Sequence, residues 1–397
     1  MRRIPALAAV LLAACLCLPQ ALAQGKPVII GAAVSQTGFL ADLALGMRNA
    51  LLLWQEEVNA NGGLLGRQVD LRLYDDASDS LRSTALYELL LRDDGAEVLI
   101  GPFGSAATSI AAAVAERNRR VMVNATGGAP GIHKRVYRYV FQVPAPSDRA
   151  TAGVLPLAAL AGFKSAVVIA PDEATAEPLI EQLNAEMAKV STALVLRPTA
   201  LYAVDVVKRY APFAAVLKAS APDVVLTLAG PGDTAELVRG FKAVGFAPGM
   251  FIARGSLTPA FIKAVGVDAE YTFGLSFYEP RSRTPGNAAF VKAYRAKYRN
   301  APDVHAASGW TAGKVLEAAV IKAGSFDQER LRETFAALEI ETVLGGYKVA
   351  ADGSQLAASP LVVQILKGRR EVVWPQRYAS AVPVLPTPSW GGRSLKP

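Results

Sequence analysis

Short apolar runs rich in β-branched residues alternate along the chain with longer stretches of helical periodicity. Residues 28–34 are apolar throughout and predict a buried strand. The next stretch carries apolar residues three and four positions apart, on one helical face: Met47, Ala50, Leu51, Trp54 and Val58. Further strands are predicted at 69–74, 97–100 and 121–123, with helices at 81–91 and 106–115. Strand, helix and strand in succession predict a parallel sheet with helices on both faces.

A second block of the same alternation begins after Pro144-Ala145-Pro146. Its predicted strands are 165–170, 193–196, 224–228, 250–253 and 271–277. Two long helical stretches follow, and then two strands, at 288–298, 307–323, 361–366 and 371–374. Two such blocks predict an α/β protein made of two doubly wound parallel-sheet domains. Residues 376–397 are rich in proline, and the sequence from Ala381 onward predicts a loose tail.

The first residues have the pattern of an export signal. A basic start at Met1-Arg2-Arg3 precedes the apolar stretch 4–18, and Ala21-Leu22-Ala23 is a small-residue cleavage site. We therefore expect residues 1–23 to be a signal peptide and the mature protein to be periplasmic. An alternative is lipid anchoring at Cys15, because Leu12-Ala13-Ala14-Cys15 is similar to a lipobox. The apolar residues that continue after Cys15 favour the cut after Ala23.

Cysteine usage and charge exclude several classes of site. Cys15 and Cys17 are the only cysteines, so a chain cut after Ala23 has no disulfide, cysteine nucleophile or zinc thiolate. The 397 residues carry a net charge of +8, and the densest basic cluster, Arg117, Arg119 and Arg120, follows a predicted helix. Cations at a helix C-terminus complement its dipole. No aromatic residues are interleaved with this cluster, so we expect no nucleic-acid binding.

The residues that catalysis or metal binding would need are scarce. His133 and His305 are the only histidines, and we expect ordinary surface or loop positions for both. Nucleophile-elbow and metalloprotease motifs are absent from the sequence, so no catalytic residue is predicted. Asp75-Asp76 follows a predicted strand, where adjacent acids usually bind the amides of the next turn. Only Asp79 is near enough in sequence to add a ligand, so no metal and no cofactor are predicted.

One turn has the spacing of a dinucleotide-binding loop. The segment 230–235 matches G-x-G-x-x-A between a strand and a helix, and Arg254 ends the next strand. Pro231 offers no N–H to a pyrophosphate, so a tight strand-to-helix turn is the preferred interpretation. An exported nicotinamide-dependent oxidoreductase remains as an alternative function.

Two other loops have the composition of an anion site. Residues 101–105 end a predicted strand and begin a helix, so free backbone amides and the Ser105 hydroxyl lie at the positive end of a helix dipole. Residues 124–131 follow the next strand, with glycines that let a ligand approach the backbone. Because the two loops follow neighbouring strands, they predict a carboxylate site.

These motifs occur in the order typical of a known family. They are Ile30-Gly31-Ala32, Ser35-x-Thr37-Gly38, Asn59-x-Asn61-Gly62-Gly63-x-x-Gly66, Tyr74-Asp75-Asp76, Ile100-Gly101-Pro102, Ser105-x-x-Thr108, the strand from Asp223, Ala243-Val244-Gly245 and Val343-Leu344-Gly345. Over residues 28–375 the chain resembles the periplasmic substrate-binding proteins of branched-chain amino-acid-type ABC transporters, with the type I periplasmic binding fold. The resemblance implies two lobes joined by three hinge crossovers: 25–145 with 277–352, and 146–276 with 353–375.

The resemblance also implies a function and a set of site residues. It implies a non-enzymatic receptor, monomeric and without cofactor, that delivers a small ligand to an ABC permease in the inner membrane. By position, Ser105 and the loop of Thr126, Gly127 and Gly128 hold the ligand carboxylate. The remaining expected site residues line the two walls of the cleft: Ser35 and Phe39 in the first lobe, and Thr175, Gly230 and Arg254 in the second.

The chain departs from the family pattern in the second lobe. Where the family often has a ligand-facing tyrosine, the chain has 172–175, and Arg254 lies close to the position of the acid that binds the amino group. A cation there suits a second anion, so a small organic acid, an aromatic carboxylate or an amide is expected in place of a plain branched-chain amino acid. A sensor on the same fold, serving a chemoreceptor or histidine kinase, is the alternative to transport.

Overall fold

The computed structural model describes residues 25–135, 137–170, 172–188, 193–197, 200–201 and 210–393. The first sheet has five parallel strands in the order β2-β1-β3-β4-β5. Their bounds are β1 Val28–Val34, β2 Val69–Asp75, β3 Val98–Ile100, β4 Met122–Asn124 and β5 Val140–Gln142. Three helices connect them: α1 Ala41–Ala60, α2 Ser83–Arg92 and α3 Ser105–Arg117. Since β2 and β3 lie on opposite sides of β1, the strand order reverses at β1.

The second sheet repeats this arrangement around β6, which lies between β7 and β9. Its first strands are β6 Ser165–Ala170, β7 Val195–Leu196, β8 Ala200–Leu201, β9 Val224–Thr227, β10 Met250–Ala253 and β11 Phe273–Ser276. The helices of this region are α4 Val154–Leu160, α5 Glu173–Met187, α6 Tyr210–Ser220, α7 Pro231–Ala243 and α8 Pro259–Val265. Buried strand residues form two apolar layers, one on each face of the sheet.

The chain then returns to the first sheet. Helices α9 Asn287–Tyr298, α10 Val304–Ala323 and α11 Gln328–Ala336 precede the hairpin of β12 Ile340–Thr342 and β13 Gly345–Tyr347. Helix α10 packs closely on α1, because a Cβ at Gly313 would lie 2.4 Å from the ring of Trp54. Met47, Trp54 and Trp310 belong to one buried core that spans both stretches of chain. We call this body the first lobe.

The last two strands complete the second sheet and make it mixed, because they pair in the antiparallel direction. Strands β14 Leu361–Leu366 and β15 Arg369–Trp374 extend it, and both new pairings, β11–β14 and β14–β15, are antiparallel. We call the body around this sheet the second lobe. The predicted α/β class is confirmed, with the difference that the second sheet is mixed where a fully parallel sheet was predicted.

The chain passes between the two lobes three times, after β5, after β11 and after β13. The first and third crossovers contact one another: the Gln142 amide donates to the Gly353 carbonyl at 2.9 Å, and the Gln355 side chain donates to the Val143 carbonyl at 3.1 Å. At the second crossover, buried Glu279 pairs with Arg370 of β15. Burial raises the pKa of Glu279, although Arg370 opposes the rise. The three connections therefore lie against ordered structure.

The prediction of a loose tail is wrong for residues 381–393. The Thr387 amide donates to the Gly249 carbonyl at 2.9 Å, and the indole of Trp390 donates to the Phe246 carbonyl at 2.8 Å. Arg393 donates to the carbonyls of Asp268 and Glu270, and its guanidinium lies 3.6 Å from the Trp390 ring centroid. Proline removes amide donors without preventing packing, so this segment is held on the second lobe by side chains and scattered backbone bonds.

Among the residues described, no helix combines the length and the apolar character that crossing a membrane requires.

Candidate functional site

The strand orders locate the site before any side chain is considered. In open α/β sheets, ligands bind outside the carboxyl ends of the strands where the strand order reverses. In the first lobe this point lies between β1 and β3, so the loops that begin at Ser35 and Gly101 flank it. In the second lobe it lies between β6 and β9, next to α5 and to Gly230. The loops with candidate chemistry therefore lie at these two points.

The loop after β3 presents the amino end of α3. Gly104 has φ +82°, a left-handed conformation that glycine adopts without strain, and Ser105 begins the helix. The backbone amides of Ser105 and Ala106 have no acceptor among the described residues, as expected for the first turn of a helix. They and the positive end of the helix dipole are available to an anion.

Thr126 stabilises the loop after β3 through two hydrogen bonds of its hydroxyl. Its hydroxyl accepts a hydrogen bond from the Gly104 amide at 2.9 Å and donates one to the Pro102 carbonyl at 3.0 Å. Ser105 is different, because its hydroxyl accepts from the Ala129 amide at 3.2 Å and keeps its own proton for another acceptor. The two predicted anion loops are thus joined, and of these two hydroxyls only that of Ser105 has a proton to donate to a ligand.

The loop after β4 is closed by Asn124. Its side-chain amide donates to the Gly127 carbonyl and its side-chain oxygen accepts from the Gly127 amide, both at 2.8 Å. Gly127 is buried, and a Cβ there would lie 2.8 Å from Ile132 and 2.9 Å from Thr108. The Gly128 amide has no acceptor among the described residues, and the Gly128 carbonyl accepts from Ser147 in the first crossover at 2.9 Å. Gly128 therefore offers a free amide next to the hinge.

Two adjacent acids hold the loop after β1. The Ser35 hydroxyl, which is buried, donates to Asp76 at 2.6 Å, so its proton is already used. Asp75 accepts from the amides of Gln36 and Ala77 at 2.8 Å each, and from the Thr37 amide at 3.2 Å and hydroxyl at 2.7 Å. The prediction that these acids bind turn amides is confirmed.

The hydrogen bonds to Asp75 change its acidity. Burial raises the pKa of Asp75, but the Thr37 hydroxyl and the amides of Ala77, Gln36 and Thr37 stabilise the carboxylate more strongly. The net effect lowers the pKa to about 2. Asp75 is therefore ionised at neutral pH, and its carboxylate fixes the shape of the loop.

Phe39 follows this loop and is 83% exposed. A large apolar side chain in water at the carboxyl end of β1 is available to contact an apolar part of a ligand. Among the described residues, no group of three His, Cys, Asp or Glu side chains is arranged to hold a metal ion.

His305 lies beside the loop of residues 101–105, a position that was not predicted from the sequence. Its ring packs edge-on against Phe103, with ring centroids 4.8 Å apart. Burial lowers the pKa of His305, and Asp303 opposes the change. About two hundred residues separate the two rings in sequence, so no local pattern could have predicted the contact.

His133 lies in the connection between β4 and β5, one of the surface or loop positions expected, but it is buried, with only 2% of the residue exposed. Its Nδ1 lies 2.9 Å from the Asp352 carbonyl in the third crossover, and its Nε2 is buried with no partner in the part of the chain that the structure describes. Burial lowers the pKa of His133, and Asp352 opposes the change. A neutral ring with the proton on Nδ1 satisfies this contact.

The second-lobe candidates lie at the ends of β6, β9 and β10. Thr175 is in the first turn of α5, and Gly230 precedes Pro231, the first residue of α7. No atom lies within 4 Å of a Cβ built at Gly230, so the space beside it is open. Gly255 packs against Gly230, because a Cβ at Gly255 would lie 2.6 Å from the Gly230 carbonyl carbon. Arg254 is exposed at the end of β10.

Two α/β lobes joined by three crossovers, with open loops at the carboxyl ends of both sheets, define the class of two-lobed binding proteins with the type I periplasmic fold. A periplasmic binding protein family model matches residues 27–370. The chain belongs to that family.

Curated relatives agree with this assignment. The chain is 24% identical over 313 residues to the leucine-, isoleucine-, valine-, threonine- and alanine-binding protein of Pseudomonas aeruginosa, covering 78% of this chain and 82% of that protein. It is 29% identical over 175 residues to Leu/Ile/Val-binding protein homolog 7 of Brucella suis. That second match spans 41% of this chain and only 44% of the relative.

A solved structure of a putative branched-chain amino acid ABC transporter from Rhodospirillum rubrum has the same fold. It superposes with a TM-score of 0.76 at 20% identity, covering 87% of this chain and 99% of that one. The resemblance inferred from the sequence motifs is thereby confirmed at the level of family and fold.

Proposed function

We propose that the chain is the solute receptor of an ABC importer, and that it captures a small carboxylate between its lobes for delivery to a membrane permease. The observation that carries the proposal is the set of free amides at Ser105, Ala106 and Gly128, on two joined loops at the point where the strand order reverses. A carboxylate has the charge and the acceptor atoms that such amides bind.

The site residues divide into contacts and supports. The Ser105 hydroxyl and the free amides hold the carboxylate. Thr126 and Gly127 are positioning residues, since the Thr126 hydroxyl and the Gly127 amide are already bonded within the protein. Ser35 likewise supports the loop through Asp76. The remaining lining residues contact the rest of the ligand: Phe39, Thr175, Gly230 and Arg254.

Ligand binding favours the closed arrangement of the lobes. A ligand that contacts both lobes shifts the population towards the closed form, which a permease can distinguish from the open form. The hinge lies at the three crossovers, with lobe boundaries at 25–145 with 277–352 and at 146–276 with 353–375. The receptor acts as a monomer and needs no cofactor.

We place the receptor in the periplasm, because the family to which it belongs is periplasmic. Residues 1–23 act as the export signal and are removed by cleavage after Ala23. The intact mass of the protein recovered from a cell envelope fraction distinguishes this product from one lipidated at Cys15.

Titration calorimetry with small carboxylates tests the proposed site. Ser105→Ala removes the hydroxyl that donates to the carboxylate from the first lobe, so we expect the affinity for a carboxylate ligand to fall about tenfold. Ser109→Ala, one turn further along α3, is the matched control and leaves the affinity unchanged. Equal affinities for the wild-type protein and Ser105→Ala would contradict the proposed contact.

A further inference from the structure

The second-lobe rim of the site has few polar groups left for a ligand. The Thr234 hydroxyl donates to the Gly230 carbonyl at 2.7 Å, and the Thr258 hydroxyl donates to the Gly255 carbonyl at 2.9 Å. The Ser256 hydroxyl is buried and lies within hydrogen-bond distance of the Ala253 and Phe273 carbonyls. These three hydroxyls stabilise the loops and have no proton left to donate outward.

Two acids of the described part of this rim are also engaged. Asp172 follows β6 and Asp233 lies in the first turn of α7, and both already interact within the protein. An ammonium group that enters a partly desolvated cleft needs a free carboxylate to offset the loss of water. Neither of these two described carboxylates is free for that purpose.

In contrast to these hydroxyls and acids, the Arg254 side chain is not engaged by other described residues. Its side chain is exposed, and it makes no hydrogen bond or ion pair with any described residue. Its turn is well anchored, because the Leu257 carbonyl accepts from Arg370, which pairs with Glu279 at the second crossover. Gly255 packs against Gly230, which brings the turn beside the amino end of α7. A free guanidinium is thus presented from a fixed turn on the hinge side of the second lobe.

We infer that Arg254 binds a second anionic group of the ligand, so that the receptor is selective for small dicarboxylates over α-amino acids. The inference rests on the proposed function, in which the first carboxylate binds the amides of the first lobe. The second carboxylate then meets a guanidinium, whose fork matches two carboxylate oxygens. Closure brings the two lobes onto the two ends of one dianion.

Matched compounds test this selectivity by calorimetry on the mature protein. The aliphatic set is glutarate, valerate and L-norvaline, which share a five-carbon skeleton. The aromatic set is terephthalate, 4-methylbenzoate and L-phenylglycine, and L-leucine is added. We expect one dicarboxylate to bind at least about tenfold more tightly than the monocarboxylate and the amino acid of its set.

Variants connect that preference to Arg254. Arg254→Gln removes the advantage of the dicarboxylate, an expected loss of about tenfold to hundredfold in its affinity, and lowers the monocarboxylate affinity far less. Arg254→Lys retains part of the advantage. Arg119→Gln, two residues beyond the C-terminus of α3, is the charge-matched control and leaves every affinity unchanged. Far-UV circular dichroism and the melting temperature show that each variant is folded.

The outcomes separate this inference from the proposed function. An amino acid that binds as tightly as the dicarboxylate, with affinity lost in Ser105→Ala but kept in Arg254→Gln, overturns the inference alone. Equal losses for mono- and dicarboxylates in Arg254→Gln also overturn it, since they indicate a structural role. If no compound of the panel binds, the carboxylate receptor itself is contradicted.

Discussion

At the scale of single residues, the candidate site depends on how few polar groups remain free. Ser105 and Thr126 have the same functional group and lie on adjacent loops, and only Ser105 keeps a proton for a ligand. The sequence could nominate both residues through the turns in which they occur. It could not rank them, because the ranking depends on hydrogen bonds to Pro102, Gly104 and Ala129.

Asp75 provides a first test of the loop after β1. Asp75→Asn removes a charged acceptor from Gln36, Thr37 and Ala77, so we expect the free energy of unfolding at pH 7 to fall by about 1–3 kcal/mol. The folded pKa of about 2 lies below the ordinary aspartate value of 3.8, so this stabilisation is present above pH 3.8 and is lost as the pH falls towards 2. Urea titrations at several pH values measure it.

The matched control for this test is Asp70→Asn, on the same strand. Asp70 is paired with exposed Arg72, and removing a surface ion pair costs little. If Asp70→Asn and Asp75→Asn lowered stability equally, the loop would not depend on Asp75.

Stability should also depend on the protonation of His133, in a higher pH range than for Asp75. The folded pKa of His133 lies below the ordinary value of 6.5, so its contribution to stability is complete above pH 6.5 and is lost as the pH falls below it. The cause is that protonation would place a charge on a buried Nε2 that has no partner among the described residues. We expect His133→Gln to flatten the decline in melting temperature between pH 7 and pH 5. The exposed variant Lys322→Gln is the control, and an unchanged slope in His133→Gln would contradict this explanation.

At the scale of elements, strands that are buried on both faces were predictable from composition. Residues 28–34, 165–170, 250–253 and 361–366 form strands with the predicted bounds, because a short and largely apolar run has few other stable environments. The hairpin of β12 and β13 and the helix α11 were not predicted. The hairpin strands have three residues each, and pairing with one another defines them more than their composition does.

The contact between α1 and α10 predicts a sharp steric effect. Gly313→Ala places a methyl group 2.4 Å from the ring of buried Trp54, so we expect a loss of about 1–3 kcal/mol from overpacking, despite the better helix propensity of alanine. Chemical denaturation measures the loss. The control is Lys322→Ala, because Lys322 lies on the same helix with an exposed side chain. A Gly313→Ala protein that is more stable than the wild type would contradict the close packing of α10 on α1.

The C-terminal segment gives the clearest failure of composition as a guide. Four prolines from Ala381 onward predicted a loose tail, whereas Thr387, Trp390 and Arg393 bond to the second lobe. We expect Trp390→Ala to lower the free energy of unfolding by about 1–3 kcal/mol, through loss of the bond to Phe246 and of packed area. An unchanged melting temperature would restore the original prediction of a loose tail.

At the scale of the whole molecule, the two strand-order reversals determine where the candidate loops lie. The family motifs predicted the pair of lobes, and the strand orders show why their carboxyl ends present the candidate loops. The sequence could not predict which loop amides stay free, since that depends on contacts between residues far apart in the chain. It also could not predict the buried crossover contacts of His133 and Glu279.

Movement of the lobes on ligand binding tests the central claim most directly. A chain cut after Ala23 contains no cysteine, so spin labels at Asp42→Cys and Ala260→Cys report one distance across the cleft. We predict that the panel compound with the highest affinity shortens this distance in the otherwise wild-type protein. When Ser105→Ala is added to the labelled protein, we expect the distance to shorten only at a ligand concentration about tenfold higher. A distance unchanged at a concentration where calorimetry shows full binding would contradict the claim that the lobes close on the ligand.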